Sequence, residues 1–262
     1  MSSYTAQTPI LDHFVILVSH KTLLGISEHT NGQFTLAPGG THADGLTTNK
    51  LILLPDGVYL ELIAFFDDAD PEKRRQHRWG NEKEDSIIDW AFTLPSENDF
   101  GTIQQRVRES ATGFFYTDPI PGGRTKPDGT VLKWAICAPK DDQGNGVAPG
   151  TMPFWCLDRT PRANRVPYEK EAHLTRHPNG AQGVSSVLIQ IPDGGDAKLK
   201  GTYDAMFGDA WKYAVPSGSN AGHHSVSISG EKAAIQLVLH GSKSGRVELL
   251  PGLLIDIEES AY

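Results

Sequence analysis

The sequence predicts an α+β protein built from three approximate copies of a β-α-β-β-β unit. Three observations carry that expectation. Apolar runs of strand length recur along the chain, bounded by proline, glycine and aspartate. Each copy opens on one such run and then shows a segment whose apolar residues fall at helical spacing. With 262 residues, 38% of them hydrophobic and 21% charged, the chain can fill a large core as one domain or two.

The first copy begins with Leu11 to Val18, a mostly apolar strand that carries His13. Lys21 to Glu28 reads as a short helix interrupted by Gly25. Phe34-Thr35-Leu36 reads as a brief strand and Pro38 to Gly45 as a glycine-permitted loop containing His42. Lys50 to Leu54 and Val58 to Phe65 are strands flanking the turn Pro55-Asp56-Gly57. Asp67 to Asp85 is crowded with charge, holds the single large apolar residue Trp79, and reads as a solvated linker.

The second copy starts with the strand Ile87 to Leu94. Ser96 and Asp99 suggest a capping box for a helix with an apolar face of Phe100, Ile103 and Val107, stopped at Gly113. Thr130 to Cys137, after the turn Pro127-Asp128-Gly129, and Pro153 to Asp158 are its further strands. A polar, proline-punctuated stretch leads to the third copy. There, Val184 to Ile191 is a strand, and Leu199, Tyr203, Met206 and Phe207 mark a helix ending at Gly208. Ser225 to Ser229, Ala233 to Leu239 and Leu253 to Ile257 are the remaining strands.

Composition narrows the function. No apolar run approaches the roughly 20 residues of a membrane helix, and the first residues lack the basic and apolar regions of a signal peptide. A cytoplasmic protein with no membrane partner is expected. A net charge of −8, with no basic stripe beyond Lys73-Arg74-Arg75, argues against nucleic acid. Cys137 and Cys156 read as small core residues, neither having a cysteine at ligand spacing.

His13 and Glu61 are the candidate chemistry. Strand alternation puts Tyr59, Glu61 and Ile63 on one face, so the carboxylate either meets solvent or lines a mixed cavity. A base beside an imidazole suffices for proton transfer next to a carbonyl, given a donor to the enolate such as Arg124 or Asn49. Gly39-Gly40 is no phosphate loop, because no Gly-Lys-Ser/Thr follows. His223 and His224 begin a strand and face opposite ways, which disfavours chelation by both.

Several motifs carry a resemblance. They are Leu11-Asp12-His13, Gly39-Gly40-Thr41-His42, Thr48-Asn49, Tyr59-Leu60-Glu61-Leu62, Gly122-Gly123-Arg124, Pro127-Asp128-Gly129 with Trp134, Pro153-Phe154 and His177-Pro178-Asn179-Gly180. Their order and spacing resemble the vicinal oxygen chelate superfamily, and within it the glyoxalase-like families without an assigned reaction. The resemblance implies curved mixed sheets around a cup, with residues 8–182 forming a glyoxalase-like domain of two units and 183–262 a third unit packed on it. It implies metal ligands on the first and last strands of each unit, which in the first unit are His13 and Glu61. These suit a divalent metal such as Zn, Ni, Fe or Mn.

The sequence departs from that pattern. Trp90 stands in the second unit where His13 stands in the first, and Phe154 or Trp155 where Glu61 stands. In the third unit, Ser185 aligns with His13 and Asp256 with Glu61. Pairing of the first and third units would give a metal site of His13, Glu61 and Asp256. Pairing of the first and second leaves two ligands. The aromatic replacements Trp90, Phe154 and Trp155, with Trp134, suggest an apolar ligand pocket that His42 and Asn49 would also line. The expected function is an enzyme acting on a small carbonyl- or ring-bearing metabolite, of isomerase, lyase or dioxygenase type, with His13, Glu61 and Arg124 as catalytic residues. The alternative is a non-catalytic protein that sequesters a small molecule. Three units leave one without an internal partner, which points to a homodimer or a half-used third unit.

Overall fold

The computed structural model describes residues 8–126, 128–191, 197–208, 210–218, 224–229 and 234–260. Pro127, His223 and Ala233 lie outside them. In chain order the strands are β1 (Ile10–Leu17), β2 (Ala37–His42), β3 (Thr47–Leu53), β4 (Tyr59–Phe65), β5 (Ser86–Thr93), β6 (Phe114–Tyr116), β7 (Ile120–Thr125), β8 (Val131–Cys137), β9 (Pro139–Asp141) and β10 (Phe154–Asp158). After them come β11 (Ala181–Gln190), β12 (Ser225–Ser229), β13 (Ala234–Gly241), β14 (Gly245–Leu250) and β15 (Leu253–Glu259).

Eight strands close a barrel in the order β1-β4-β3-β2-β7-β8-β10-β5. It consists of two halves with the same internal order, β1-β4-β3-β2 and β5-β10-β8-β7. In each half the first and last strands run parallel. The halves join along two antiparallel seams, β1 with β5 and β2 with β7. The first unit therefore pairs with its neighbour. Strands β6 and β9 form a two-stranded sheet, and a separate five-stranded sheet, β12-β11-β13-β15-β14, holds the last five strands. It contains one more strand than the sequence suggested, β14, and its order differs from that of the barrel halves.

Side-chain alternation sorts the barrel residues into two layers. His13, Val15 and Leu17 of β1, Ile63 and Phe65 of β4, and Trp134, Phe154 and Cys156 face inward. Phe14, Ile16, Leu60, Leu62, Trp90, Phe92 and Trp155 face outward into the main core. That core is closed by Phe100, Ile103 and Val107 of the helix Phe100–Glu109, by Leu199, Tyr203 and Met206 of the helix Ala197–Phe207, and by the second sheet. Because both faces of β1 and β4 are covered, these strands read as apolar runs in which a polar residue stands out.

Several local expectations are corrected. Phe34 to Leu36 forms no strand, and the glycine-rich segment is itself strand β2, bonded to β3 and β7. A Cβ at Gly39 would fall 2.1 Å from Asn49 Oδ1, and one at Gly40 would fall 2.6 Å from the Thr125 carbonyl. These glycines serve close strand approach, not a loop conformation. Ser96 caps a 3₁₀ turn, Glu97–Asp99, ahead of the α-helix, which ends at Glu109, before Gly113. Asp67 to Asp85 is no plain linker: it contains the helix Pro71–Gln76, capped by Asp70, and then folds Arg78 and Trp79 back onto the barrel. Among the described residues no helix is long and apolar enough to cross a membrane.

Asp56 ties the barrel to the second sheet. Its Oδ1 accepts from Val58 N at 2.9 Å and its Oδ2 from Val184 N at 2.8 Å, while its carbonyl accepts from Ser217 N. Burial pushes this carboxyl up from 3.8 to about 7 against the opposing pull of those amide bonds. A group bound to its proton more tightly in the folded state stabilises most below its unfolded pKa and loses that contribution as pH rises through the folded value. Denaturant unfolding of the wild type, minus that of Asp56→Asn, should therefore show stability falling between about pH 4 and 7 and flat above. A pH-independent difference would contradict this.

Candidate active site

The cavity inside the barrel has a volume of about 240 Å³. Its polar floor comes largely from the first half and its apolar wall from the second. His13 enters from β1, His42 from β2, Asn49 from β3, and Tyr59 and Glu61 from β4. Arg124 comes from β7, Trp134 and Ile136 from β8, and Phe154 and Cys156 from β10. His77, Trp79 and Arg165 also line the cavity, as do Asp44, Thr47 and the segment from Pro121 to Gly123.

Glu61 is the centre. It is 5% exposed, and its Oε1 accepts from Asn49 Nδ2. His42 Nε2 lies 3.5 Å from Oε1 and His13 Nε2 lies 3.6 Å from Oε2. Burial alone would raise this carboxyl, but the facing His42 and His13, the Asn49 bond and the Arg124 charge outweigh it and hold it below the usual carboxylate range. Asn49 cannot turn away. Its Oδ1 already accepts from Gly40 N at 2.9 Å and Arg124 Nη1 at 2.8 Å, which leaves the amide nitrogen for Glu61.

Each imidazole is anchored through its other nitrogen. His42 Nδ1 meets Thr47 Oγ1 at 2.8 Å, and burial pushes the His42 pKa down while Glu61 pulls it up. His13 Nδ1 donates to Asp12 Oδ2 at 2.7 Å. Asp12 itself is fully buried. Its desolvation is overcome by Arg162 and Arg165, so its carboxyl lies well below its ordinary value and can only accept. The proton on Nδ1 is thereby fixed. His13 Nε2 then faces a carboxylate oxygen of Glu61. Tyr59 stacks on the His13 ring at 4.6 Å and 13°, with Phe154 edge-on at 5.4 Å.

The metal expectation fails on the donor set. Asp256 lies on β15 of the second sheet, half exposed, where Arg246 grips both its oxygens at 2.6 and 3.0 Å. His42 is the added imidazole, but it addresses the opposite carboxylate oxygen from His13. A cation against Oε2 would meet two protein ligands, one short of a typical catalytic zinc site. Among the described residues no three such side chains form a metal-binding group.

Of the aromatic candidates, Trp134 and Phe154 line the cavity and Trp90 and Trp155 do not. A register shift between Leu11 and His13 sets Ala91, not Trp90, opposite His13, and Phe154 pairs with Ala91 in turn. One residue of shift moves a side chain to the other face. Trp90 accordingly packs among Phe14, Phe92 and Tyr203, and Trp155 among Phe92, Phe100 and Tyr116. Sequence reasoning overlooked Trp79, His77 and Arg165. Trp79 donates its indole N–H to Asp89 at 2.8 Å and lies against Phe154. Its isolation as the one large apolar residue in a charged stretch was the available signal.

A barrel of two like-ordered halves with a polar floor at the β1/β4 and β2/β3 strands has the form of the vicinal oxygen chelate superfamily. The chain belongs to the glyoxalase-like family of that superfamily: the model of the glyoxalase-like domain matches residues 11–204. No curated protein matches the sequence. Among solved structures, a hypothetical protein from Staphylococcus aureus shares the fold with a TM-score of 0.69 at 12% identity, over 96% of this chain and 99% of that one. A 2,2',3-trihydroxybiphenyl 1,2-dioxygenase from Sphingomonas wittichii aligns with a TM-score of 0.45 at 10% identity, over 97% of this chain and 91% of its own. A methylmalonyl-CoA epimerase from Mycobacterium tuberculosis aligns with a TM-score of 0.33 at 15% identity, over 60% and 91%.

Two substitutions test this assignment of roles. Trp90→Ala should cost about 3–5 kcal/mol in urea unfolding, the usual range for a large buried aromatic. Asp12→Asn should cost a similar amount, roughly 3–5 kcal/mol, because it strips a buried charge from its partners. Asp12 also contributes a pH dependence of its own. Its folded pKa is lowered, so its stabilisation is present above its ordinary 3.8 and is lost as pH falls through the folded value. Wild-type unfolding midpoints that match those of Asp12→Asn at neutral pH would contradict the network.

Proposed function

We propose that this protein is an enzyme that moves a proton at a carbon next to a carbonyl, in a small metabolite with an apolar or ring-bearing body. The observation that carries the reading is a buried, ionised Glu61 carboxylate at the floor of an aromatic-walled cavity, flanked by two imidazole nitrogens. Such a step needs a base, a partner that takes and returns the proton, and a donor to the oxygen that gains charge.

Glu61 is the base. It is unprotonated at neutral pH and weakly basic until a ligand expels water from the cavity, which raises a carboxyl pKa toward the working range. His13 is the partner, its Nε2 facing Oε2 and its Nδ1 held by Asp12. Arg124 is the donor to the developing enolate, because the Asn49 amide is already committed to Gly40, Arg124 and Glu61. This chemistry is of isomerase or lyase type. A cavity of about 240 Å³ lies below the roughly 300–1,000 Å³ usual for drug-sized ligands, so the enclosed part of the substrate is small.

The test is deuterium uptake from D₂O, followed by NMR, across a panel of small ketones, aldehydes and oxo-acids. Wild-type protein should accelerate exchange beside the carbonyl for some members, and Glu61→Gln should lose roughly 10²–10⁴ of that rate. Exchange equal in the two proteins would remove Glu61 as base. A stoichiometric transition metal in purified protein, lost in Glu61→Ala, would make Glu61 a ligand instead.

A further inference from the structure

We infer that the cavity takes an organic carboxylate, with Arg124 gripping its anionic end while an apolar, ring-sized body lies against Trp134, Phe154 and Trp79. The inference deepens the proton-transfer reading by naming a substrate class, and it rests on a separate feature: a buried arginine that makes no direct ion pair among the described residues.

Arg124 is 4% exposed. Its guanidinium has five donors, of which one bond is made, from Nη1 to the neutral Asn49 amide. Its Nε is buried without a hydrogen-bond partner, and among the described residues no carboxylate comes within ion-pair distance of it. Among the other charged groups lining the cavity, Asp44 is exposed, with His77 Nε2 3.9 Å away. Asp12 and Asp158 face Arg162 and Arg165 in one network. Glu61 has His13 Nε2 3.6 Å from Oε2 and His42 Nε2 3.5 Å from Oε1. Arg124 makes no direct ion pair among the described residues, its opposite charge Glu61 being reached through the Asn49 amide, and burying a charge without a direct partner is costly enough that such groups are normally paired.

Arg124 lines the cavity with donors still unused, and a guanidinium matches the two oxygens of a carboxylate as a planar fork that a lone carbonyl fills only by half. Asn49 sets the spacing. One amide group bridges Arg124 Nη1 and Glu61 Oε1, so an anion held by Arg124 has its neighbouring carbons beside the base. An apolar wall for a hydrophobic body is present as well: Trp134, Phe154, Ile136 and Trp79 face the space. Gly122 makes room for the Trp134 indole, since a Cβ there would fall 2.6 Å from its Nε1.

The test compares matched probes by calorimetry: phenylacetate against the neutral phenylacetamide, with phenyl phosphate as a tetrahedral dianion. On wild type, phenylacetate should bind roughly tenfold to a hundredfold tighter than the amide, the range for a hydrogen-bonded charged pair. Arg124→Gln should erase that preference, and Arg124→Lys, which keeps the charge without the fork, should retain only part of it. Equal binding of acid and amide by wild type overturns the proposal whether or not the variants fold. Phenyl phosphate bound more tightly than phenylacetate would overturn its carboxylate part. Glu61→Gln should keep the acid preference while losing proton exchange. Preference without exchange would therefore remove the catalytic reading and leave this one standing, whereas exchange without preference would do the reverse.

Discussion

The buried carboxylate of Asp12 is the constraint on which both the barrel and its cavity depend. It sits on β1 with no access to water, and desolvating a charge is affordable only with partners in place. Arg165 supplies Nη1 and Nη2 at 3.0 and 3.1 Å, and Arg162 supplies a further contact. These arginines come from the short helix Arg162–Arg165, just past β10, so the network fastens the end of the second half-barrel to the start of the first. Arg162 also reaches the Gly57 carbonyl and Arg165 the Tyr59 hydroxyl, drawing in the β3–β4 hairpin and the strand that carries Glu61. The oxygen that Arg165 Nη1 holds is the one that fixes His13. Closure of the barrel and the tautomer of the site histidine thus share one group.

Much of this was legible in the sequence, for physical reasons that also mark where legibility ends. The α+β class and the founding strands were visible because β1, β4 and β5 are covered on both faces and spell continuous apolar runs. Glu61 stood out as a carboxylate inside such a run. Strand β7 was not visible: Ile120–Thr125 contains a proline and two glycines, and only the pairing partners on both sides make it a strand. The same holds for β2. Glycine there reads locally as a loop, while its use is to let neighbouring backbones approach.

The site was half legible, and the division follows register. His13, His42, Asn49, Glu61, Arg124, Trp134 and Phe154 were expected to line one space, and the structure brings them to it. Trp90 and Trp155 were expected there on positional equivalence between units, which assumes an unbroken count from strand to strand. The irregularity between Leu11 and His13 breaks that count by one residue at Trp90, while alternation along β10 puts Trp155 on the face opposite to Phe154 and Cys156, so both indoles lie in the outer core. Asp256 was expected through pairing of the first and third units, a choice between topologies that a single sequence does not decide. Trp79 and His77 arrive from a segment whose charge density marks a surface, because the apolar contact of Trp79 and its bond to Asp89 span elements that the sequence shows separately.

The duplicated halves have divided their labour, and the division explains the loss of second-unit ligands. Every group that can take or return a proton at the floor, His13, His42 and Glu61, stands on the first half. The second half contributes the apolar wall and Arg124, placed on β7 at the seam with β2, and the helix that follows it contributes Arg165. His42 pairs with Arg124 across that seam, so the boundary between the halves is also the place where the floor meets the buried cation. Restoring a histidine at the inward position opposite His13 would require it at Ala91, against Phe154, where an imidazole would displace wall rather than complete a ligand set. On the proposed function, the half that presents aromatic surface would hold the inert body of a ligand, and the half that carries His13, His42 and Glu61 would face its reactive carbon.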